Sequence, residues 1–172
     1  MELEHTACPN LYIGIDIHKR SWKIHCATDL SVGKTFSMDP DPDKLRDYVS
    51  RHYSGYKVTT AYEAGCCGYY AHRSFESYGW KSLVVNPADI YRTGKARHTK
   101  TDRIDAQLIA RELKDGRLYS IHIPDIRREQ LRSLFRRRND LVKDYRRIKS
   151  LIKSQLLYMG VSLPKEYDNS HW

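Results

Sequence analysis

The sequence predicts an α/β protein in which a mixed β-sheet is flanked by helices and followed by one long helix. Three observations lead to this fold class. Short segments rich in β-branched and apolar residues open the chain, helix-like and strand-like segments then alternate, and the C-terminal part repeats apolar residues at three- and four-residue spacing. With 172 residues, of which 40% are hydrophobic, the chain can bury the core of one domain and carry an appendage.

The first three predicted elements are strands. Residues 11–17 (LYIGIDI) and 22–27 (WKIHCA) consist mainly of apolar and β-branched side chains, and the short polar turn 18–21 joins them. A third strand, residues 34–38, follows Gly33. Because consecutive strands with short connections usually pair with one another, these segments predict an antiparallel meander.

Helices and strands alternate over the next part of the chain. Pro42 lies near the first turn of a segment whose apolar residues recur at helical spacing, which indicates a helix. The step from Asn86 to Pro87 ends the last strand. The predicted order is a helix at 41–53, a strand at 57–62, a helix at 68–78 and a strand at 81–86.

Two further helices complete the prediction. After a polar loop at 91–100, Thr101 is a suitable N-cap for a helix that ends near Gly116. A final helix from about Pro124 to Met159 repeats apolar residues as a heptad seam in which two positions are polar. The seam consists of Leu131, Leu134, Arg138, Leu141, Tyr145, Ile148, Ile152, Gln155 and Met159. We therefore expect one domain at 10–120 and a basic coiled-coil segment at 124–160.

Positive charge is concentrated in the final helix. The net charge is +9, and residues 127–153 hold eleven Lys and Arg against three acids, so the rest of the chain is almost neutral. A basic arm on a neutral body points to a polyanionic partner, although a solvated coiled-coil exterior is the alternative. The candidate phosphate contacts are Arg127, Arg128, Arg136, Arg137, Arg138, Arg146 and Arg147 in the helix and Lys95, Arg97 and Lys100 in the preceding loop, which also fits an ordinary exposed loop.

Composition disfavours two other classes of protein. No apolar run approaches the roughly 20 residues of a membrane-spanning helix, and the N-terminus lacks the pattern of a signal peptide, so we expect a cytoplasmic protein without a membrane partner. The four cysteines form no CxxC pair. They therefore argue against a structural zinc site and are expected to be reduced thiols.

The predicted order of elements is that of the ribonuclease H-like, or RuvC-like, fold, in which the first and fourth strands are neighbours. Asp16 lies within an otherwise apolar strand, where a carboxylate is costly to desolvate without a cation or hydrogen-bond donors. Glu63 lies just past the fourth predicted strand. Asp102 and Asp105 share one face of the first turn of a helix. We expect these four carboxylates to meet at one end of the sheet.

Four adjacent carboxylates stay ionised only if a cation neutralises them. Oxygen ligands without His or Cys favour Mg²⁺ or Mn²⁺, and two such ions about 3.5–4 Å apart are the arrangement used in phosphodiester chemistry. Each carboxylate alone also fits a structural role. Asp102 and Asp105 would complement a helix dipole, Asp16 could be a structural carboxylate at a strand end, and Glu63 could be an acid in a loop. Their joint occurrence at the expected places of one fold favours the metal site.

Four segments resemble a known protein family. They are GIDIHK at 14–19, YEAG at 62–65, VNP at 85–87 and KTDRIDA at 100–106. Together they resemble the DEDD-type insertion-sequence transposases of the one-ten family, which are relatives of the Piv pilin-gene invertases. The resemblance extends over about 12–164, and TDRIDA is its most specific part.

The resemblance implies a RuvC-like domain whose DEDD tetrad, catalytic and metal-binding at once, corresponds to Asp16, Glu63, Asp102 and Asp105. It further implies Mg²⁺ or Mn²⁺ as cofactor, DNA as partner, a structured bridge RNA as guide in some members, and a homodimer or higher oligomer through the long helix. We expect such a protein to work at the nucleoid of a bacterial or archaeal cell. Family members continue into a C-terminal domain with a nucleophilic serine. Because the 172 residues lack that domain, we expect an incomplete recombinase.

Other functions stay open at this point. A RuvC-like structure-specific nuclease would use the same four acids and need no serine. A non-catalytic module would only bind structured RNA or DNA through the basic helix. An actin-like ATPase shares the topology. Such ATPases, however, have Gly-rich phosphate-binding loops later in the sequence, and none follows Gly14, Ile15 and Asp16 here.

Overall fold

The computed structural model describes four stretches of the chain: residues 8–31, 33–65, 67–90 and 102–167. The chain forms two compact units, Met1–Ile123 and Pro124–Trp172. In the described residues, the first unit holds a sheet with its helices and the second holds one long helix.

Five strands form one sheet in the described part of the first unit. They are β1 (Asn10–Ile17), β2 (Trp22–Thr28), β3 (Lys34–Met38), β4 (Lys57–Glu63) and β5 (Lys81–Val85). Their order across the sheet is β3-β2-β1-β4-β5. The first three strands pair antiparallel, whereas β4 pairs parallel with both β1 and β5. The predicted α/β fold of ribonuclease H-like order is confirmed.

Helices α1 (Pro42–His52), α2 (Tyr70–Ser77) and α3 (Asp102–Lys114) follow the predicted segments closely. α1 begins where Asp41 caps it, since its side chain accepts a hydrogen bond from the N–H of Asp43 at 2.9 Å. α2 begins two residues later than predicted, because Gly68, with a φ of +61°, forms a turn before it. Two short 3₁₀ turns, Pro87–Asp89 and Lys165–Tyr167, were not predicted.

Side-chain alternation gives the sheet two different faces. On one face, Leu11, Ile13 and Ile15 of β1 are fully buried in a cluster with Leu45 of α1 and Phe75 of α2. On the other face, Ala61 of β4 and Val85 of β5 pack with Ile109 and Leu113 of α3. The sheet is therefore covered on both sides, and α3 alone supplies the helical cover of the second face among the described helices.

α3 lies very close to β1 because Gly14 has no side chain. A Cβ atom at Gly14 would lie 2.2 Å from the carbonyl oxygen of Ala106 and 2.5 Å from the backbone nitrogen of Ala110. At the other end of α3, Lys114 Nζ donates to the carbonyl oxygen of Thr28 at 2.7 Å. Thr28 pairs with Leu11 at the start of β1, so α3 runs antiparallel to β1. The N-terminal end of α3 therefore lies toward the C-terminal end of β1.

The segment after α3 covers the outer edge of β5. The N–H of Ile121 donates to the carbonyl oxygen of Val84 at 2.8 Å, and Leu118 is buried in the α3 cluster. Ile121 and Ile123 pack against the cluster on the opposite face. The chain thus crosses from one face of the sheet to the other, which protects an edge strand that would otherwise expose unpaired backbone groups.

An ion pair fixes the start of this crossing. Glu112, only 3% exposed, accepts hydrogen bonds from Nε of Arg117 at 2.7 Å and from Nη2 of Arg117 at 2.9 Å. These hydrogen bonds hold the pKa of Glu112 below its usual range. A carboxyl whose pKa is lowered in the folded state stabilises the fold at neutral pH, and this contribution is lost as the pH falls through its folded pKa.

Replacing Arg117 with alanine is expected to lower the free energy of unfolding at neutral pH, because Glu112 stays buried without its donors. The difference from the wild type should shrink at acidic pH, where Glu112 is protonated in both proteins. Urea unfolding at the two pH values measures this. Arg111→Ala is the control, since Arg111 is exposed and 3.8 Å from Glu112. Equal losses in the two variants would refute the pairing.

The second unit contains the predicted long helix, α4 (Ile126–Tyr158). Asp125 caps its N-terminus by accepting a hydrogen bond from the N–H of Arg128 at 2.7 Å. None of its 33 residues is buried. Large apolar side chains are exposed along its whole length, among them Leu134 at 67%, Ile148 at 51% and Leu157 at 78%.

Candidate functional site

Asp16 and Glu63 lie side by side at one end of the sheet. β1 and β4 are parallel neighbours, and their last register pair joins Ile15 to Tyr62, so Asp16 and Glu63 are the next residues on adjacent strands. Adjacent strands are about 4.7–4.9 Å apart. Glu63 is the last residue of β4, whereas the sequence had suggested a position just beyond the strand. The two carboxylates therefore come from the C-terminal ends of two neighbouring parallel strands.

Both residues belong to the face of the sheet that α3 covers. Asp16 is two residues after Gly14, the point of closest approach to α3, and Glu63 is two residues after Ala61 in the α3 cluster. Residues two apart on a strand share a face. The backbone register thus assigns both carboxylates to the side of the sheet where α3 begins.

The remaining two acids of the predicted tetrad lie in the first turn of α3. Asp102 is its first residue, and Asp105, half-buried, comes three residues later and directly before Ala106. The N-terminal end of α3 lies toward the end of β1 that carries Asp16. Backbone placement therefore brings the two strand acids and the two helix acids to one end of the sheet. The side chain of Asp102 lies outside the described part of the structure.

Asp16 is a largely buried carboxylate with a histidine beside it. Its side chain is 16% exposed, and its Oδ1 lies 3.1 Å from Nδ1 of His18, which is itself half-exposed. The sequence reasoning missed His18. The spacing in the sequence could have indicated this histidine, because residues two positions apart on an extended chain project on the same side. The imidazole of His18 is therefore within hydrogen-bond distance of the carboxylate of Asp16.

A buried tyrosine anchors the turn that follows Glu63. The hydroxyl of Tyr62 donates to the carbonyl oxygen of Gly68 at 3.2 Å and accepts from the N–H of His72 at 3.3 Å. Burial raises the pKa of Tyr62, so the hydroxyl keeps the proton that it donates. Tyr62 therefore connects the end of β4 to the start of α2.

The carboxylates suit a hard divalent cation. Four acids without a sulfur or imidazole ligand among them match the oxygen donors that Mg²⁺ and Mn²⁺ prefer. Among the described side chains, a group of three or more His, Cys, Asp or Glu residues close enough to hold a metal ion is not found. Asp16, Glu63 and Asp105 belong to these described side chains, so the structure places them at one end of the sheet without bringing the three together as such a group. Burial raises the pKa of Cys26 to about 12, so this thiol stays protonated in the core.

All seven candidate phosphate contacts of the long helix have exposed side chains, whereas Lys95, Arg97 and Lys100 lie outside the described residues. On the side of α4 away from the heptad seam, six cations form what we call the basic stripe: Arg132, Arg136, Lys143, Arg146, Arg147 and Lys153. Arg138 is different, because it lies at a seam position beside Leu134, Leu141 and Tyr145. This agrees with the heptad spacing in the sequence, which assigned Arg138 to the seam.

In the ranges that the structure describes, no helix has both the length and the apolar character needed to span a membrane.

Comparison with known proteins agrees with the fold. A family model described as a transposase, the DEDD transposases of IS110 elements, matches residues 13–159. Two Sinorhizobium fredii proteins that carry the transposase names y4qE and y4rJ are 36% identical over 107 residues and 35% identical over 106 residues. These alignments cover 62% and 58% of this chain and 27% of each relative.

The chain therefore spans about a quarter of the length of these relatives. The family match includes, among the described elements, the five strands from Ile13 onward, α1, α2, α3 and α4. Since it covers far more than half of the chain, the protein belongs to the DEDD transposase family of IS110 elements.

Proposed function

We propose that this chain is the catalytic domain of a transposase or recombinase that breaks and joins DNA phosphodiesters with Mg²⁺ or Mn²⁺. Asp16, Glu63, Asp102 and Asp105 act as the metal ligands and catalytic residues. One observation carries the proposal: Asp16 and Glu63 end two neighbouring parallel strands on the sheet face that α3 covers. α3 begins with the other two acids at that end.

Each residue has a defined task in this proposal. The four acids would hold two divalent cations, and the metal, when bound, would supply activation of a water or 3′-hydroxyl and stabilisation of the leaving oxygen. Asp16 and Glu63 hold the cations from a rigid sheet, which limits the reorganisation needed during reaction. His18, 3.1 Å from Asp16, keeps that carboxylate in one orientation. Gly14 allows α3 to approach closely enough for Asp102 and Asp105 to complete the ligand set.

The metal site is tested by thermal stability. Mg²⁺ or Mn²⁺ should raise the melting temperature, because a cation that binds only the folded protein stabilises it and relieves repulsion between the acids. Asp102→Ala combined with Asp105→Ala should abolish this increase. Asp140→Ala with Asp144→Ala on α4 removes the same charge from exposed positions and should leave the increase intact. A full metal-induced increase in the Asp102/Asp105 variant would rule out the tetrad.

We also propose that α4 binds the nucleic acid on which the site acts, either DNA or a structured guide RNA, and pairs with a second copy of the chain. The basic stripe supports the first role. It spans about 30 Å of helix at about 1.5 Å per residue. The exposed seam supports the second role. A bacterial or archaeal cytoplasm, with the nucleoid as the place of action, fits these partners.

Binding through the stripe should depend steeply on salt, because each neutralised phosphate releases counterions. Replacing Arg136, Arg146 and Arg147 with glutamine should lower affinity for all sequences alike and reduce the log–log salt slope by up to about 2.7 on duplex DNA. Titrations at several salt concentrations measure this. Arg51→Gln, Lys57→Gln and Lys81→Gln, three exposed cations of the first unit, form the control. An unchanged slope with intact helix content would leave the stripe as a solvated exterior.

A structure-specific nuclease is the second candidate. All four acids lie within residues 16–105. A nuclease of this kind would use these acids alone and would need no residue from the part of the relatives that this chain does not cover. The products separate the two functions. Cleavage of branched DNA to free ends with Mg²⁺ supports the nuclease, whereas transfer of a strand to a new partner by the longer protein supports the transposase.

A further inference from the structure

The residue opposite Asp16 on β2 is a lysine. β1 and β2 pair antiparallel, and their register joins Asp16 to Lys23. The side chains of directly opposed residues lie on the same face of a sheet, with Cβ atoms about 4.5–5.5 Å apart. Lys23 therefore belongs to the face that α3 covers, in the same row across the sheet as Asp16 and Glu63. A cation thus lies directly beside the proposed metal site.

The ammonium group of Lys23 reaches away from β1. Its Nζ donates a hydrogen bond to the hydroxyl oxygen of Ser37 at 2.5 Å. Ser37 is the register partner of Lys23 on β3, and β3 lies on the side of β2 opposite to β1. Lys23 is half-buried whereas Ser37 is exposed, so the aliphatic stem is covered and the charged end lies at the surface. The hydrogen bond to Ser37 holds the ammonium in this position.

This position suits an anionic ligand better than a purely structural role. A lysine that only neutralised the acids would gain most by approaching Asp16, because the attraction between opposite charges weakens with distance. The contact that Lys23 makes is instead with the uncharged hydroxyl of Ser37. An ammonium group carries three donors, and Ser37 accepts from one of them. The charge of Lys23 thus stays available to a negative group at the surface.

The turn between β1 and β2 adds positive charge at the same end of the sheet. Residues 18–28 contain Lys19, Arg20 and Lys23 and no acid. Lys19 and Arg20 are both exposed. They follow the end of β1 that carries Asp16, so these cations and the strand acids share one end of the sheet. Adjacent acidic and basic groups suit a ligand with several negative charges, one neutralised by metal and another by basic side chains.

We propose that Lys23 binds a phosphate of the DNA strand on which the metal site acts, next to but separate from the scissile phosphate. This inference rests on the proposed function, which places the scissile phosphate at the acids. Ser37 is two strands away from Asp16, about 10 Å across the sheet at about 4.7–4.9 Å per strand. One strand of duplex DNA advances about 3.4 Å per nucleotide, so this distance corresponds to about three nucleotides. Lys23 contacts the substrate, whereas Ser37 acts through Lys23 and is a positioning residue.

The phosphate contact predicts opposite effects on DNA and on metal when Lys23 is replaced by glutamine. The affinity for DNA should fall because a phosphate loses its cation. The affinity for Mn²⁺ should stay the same or rise, since a positive charge beside the acids repels a metal ion. Damage to the fold would instead weaken both. The combination of the two measurements therefore separates substrate binding from a structural role.

The test measures the fluorescence anisotropy of a short labelled DNA duplex at several salt concentrations. Ca²⁺ is the divalent cation, because it takes the same oxygen ligands as Mg²⁺. Every protein carries the three glutamine substitutions in the basic stripe, which reduces the contribution of α4. In this background, Lys23→Gln should weaken binding about five- to tenfold at about 0.1 M salt and lower the log–log salt slope by about 0.9. The melting temperature with and without Mn²⁺ is measured on the same proteins.

Two further variants accompany this measurement. Lys34→Gln is the matched control, because Lys34 is an exposed cation of β3 that pairs with Cys26, at the end of the strand away from the acids. It should leave both DNA binding and the Mn²⁺ effect unchanged. Lys23→Arg keeps the positive charge and should retain most of the DNA affinity.

Weaker DNA binding and a flatter salt slope in Lys23→Gln, with the Mn²⁺ increase retained, support the contact. Unchanged affinity and slope overturn it, as does an equal loss in Lys34→Gln, which would reflect net charge alone. Loss of the Mn²⁺ increase in Lys23→Gln also overturns it, because Lys23 would then support the metal site itself. If the protein with native Lys23 gains no stability from Mn²⁺, the proposed function fails and the contact fails with it.

Discussion

Gly14→Ala is expected to destabilise the first unit by about 2–3 kcal/mol, which corresponds to a loss of roughly 10 °C in melting temperature. The added Cβ would lie 2.2 Å from the carbonyl oxygen of Ala106 and 2.5 Å from the backbone nitrogen of Ala110. Backbone atoms cannot rotate away as the end of a flexible side chain can, so α3 must move off the sheet. Thermal unfolding followed by circular dichroism measures the loss.

Gly65→Ala is the matched control for this substitution. A Cβ at Gly65 would meet only the carbonyl oxygen of Glu63, at 3.9 Å, which is an ordinary contact. We therefore expect little change in stability. Gly14→Ala should also weaken the stabilisation by Mn²⁺, since α3 carries Asp102 and Asp105. If Gly14→Ala melted like the wild type and bound Mn²⁺ equally well, the close approach of α3 to β1 would not be required for the site.

Asp16→Asn is expected to lower the rate of metal-dependent DNA strand cleavage about 1,000-fold or more, because the loss of a ligand removes metal stabilisation worth several kcal/mol. The amide has nearly the same shape as the carboxylate but lacks its charge, so the fold should persist. Nucleic-acid affinity through α4 should also persist, because Asp16 belongs to a different unit. Cleavage of a branched duplex with Mn²⁺ measures the rate, and filter binding measures the affinity.

Asp47→Asn is the control for charge. Asp47 is an exposed acid on α1, on the face of the sheet that α3 does not cover. Its replacement should leave cleavage unchanged. An Asp16→Asn protein that cleaves DNA at the wild-type rate would exclude Asp16 from the catalytic machinery, whatever the behaviour of the other three acids.

Most secondary structure was predictable because the strands are short runs of apolar and β-branched residues and the helices repeat apolar residues at helical spacing. Strand β1 alternates buried residues of one cluster, Leu11, Ile13 and Ile15, with residues that face α3. The start of α2 was predicted two residues early, because a turn at Gly68 with positive φ ends the connection from β4. The periodicity of apolar residues does not reveal such a turn.

Tertiary features were less accessible to sequence reasoning. The approach of α3 to Gly14 depends on two segments about 90 residues apart, and a glycine in a strand pattern has several explanations. The crossing of Ile121 over the edge of β5 has no periodic signal at all. Packing and backbone hydrogen bonds between distant segments decided both features.

The candidate site was predicted unevenly for similar reasons. Asp16 was evident because a carboxylate in an apolar strand requires an explanation. His18 and the hydroxyl of Tyr62 were not, since their roles depend on partners 3.1–3.3 Å away that only the fold brings together. Among the basic residues of α4, the heptad spacing already assigned Arg138 to the seam, and in the structure Arg138 lies beside Leu134, Leu141 and Tyr145.

The central claim is that the four carboxylates bind divalent metal at one end of the sheet. The most direct test is an anomalous difference map from crystals of this chain soaked in Mn²⁺. We predict two Mn²⁺ peaks, about 3.5–4 Å apart, within about 2.1 Å of carboxylate oxygens of Asp16, Glu63 and the first turn of α3. Mn²⁺ bound only elsewhere on the protein, with no peak between β1, β4 and α3 at millimolar metal, would contradict the claim.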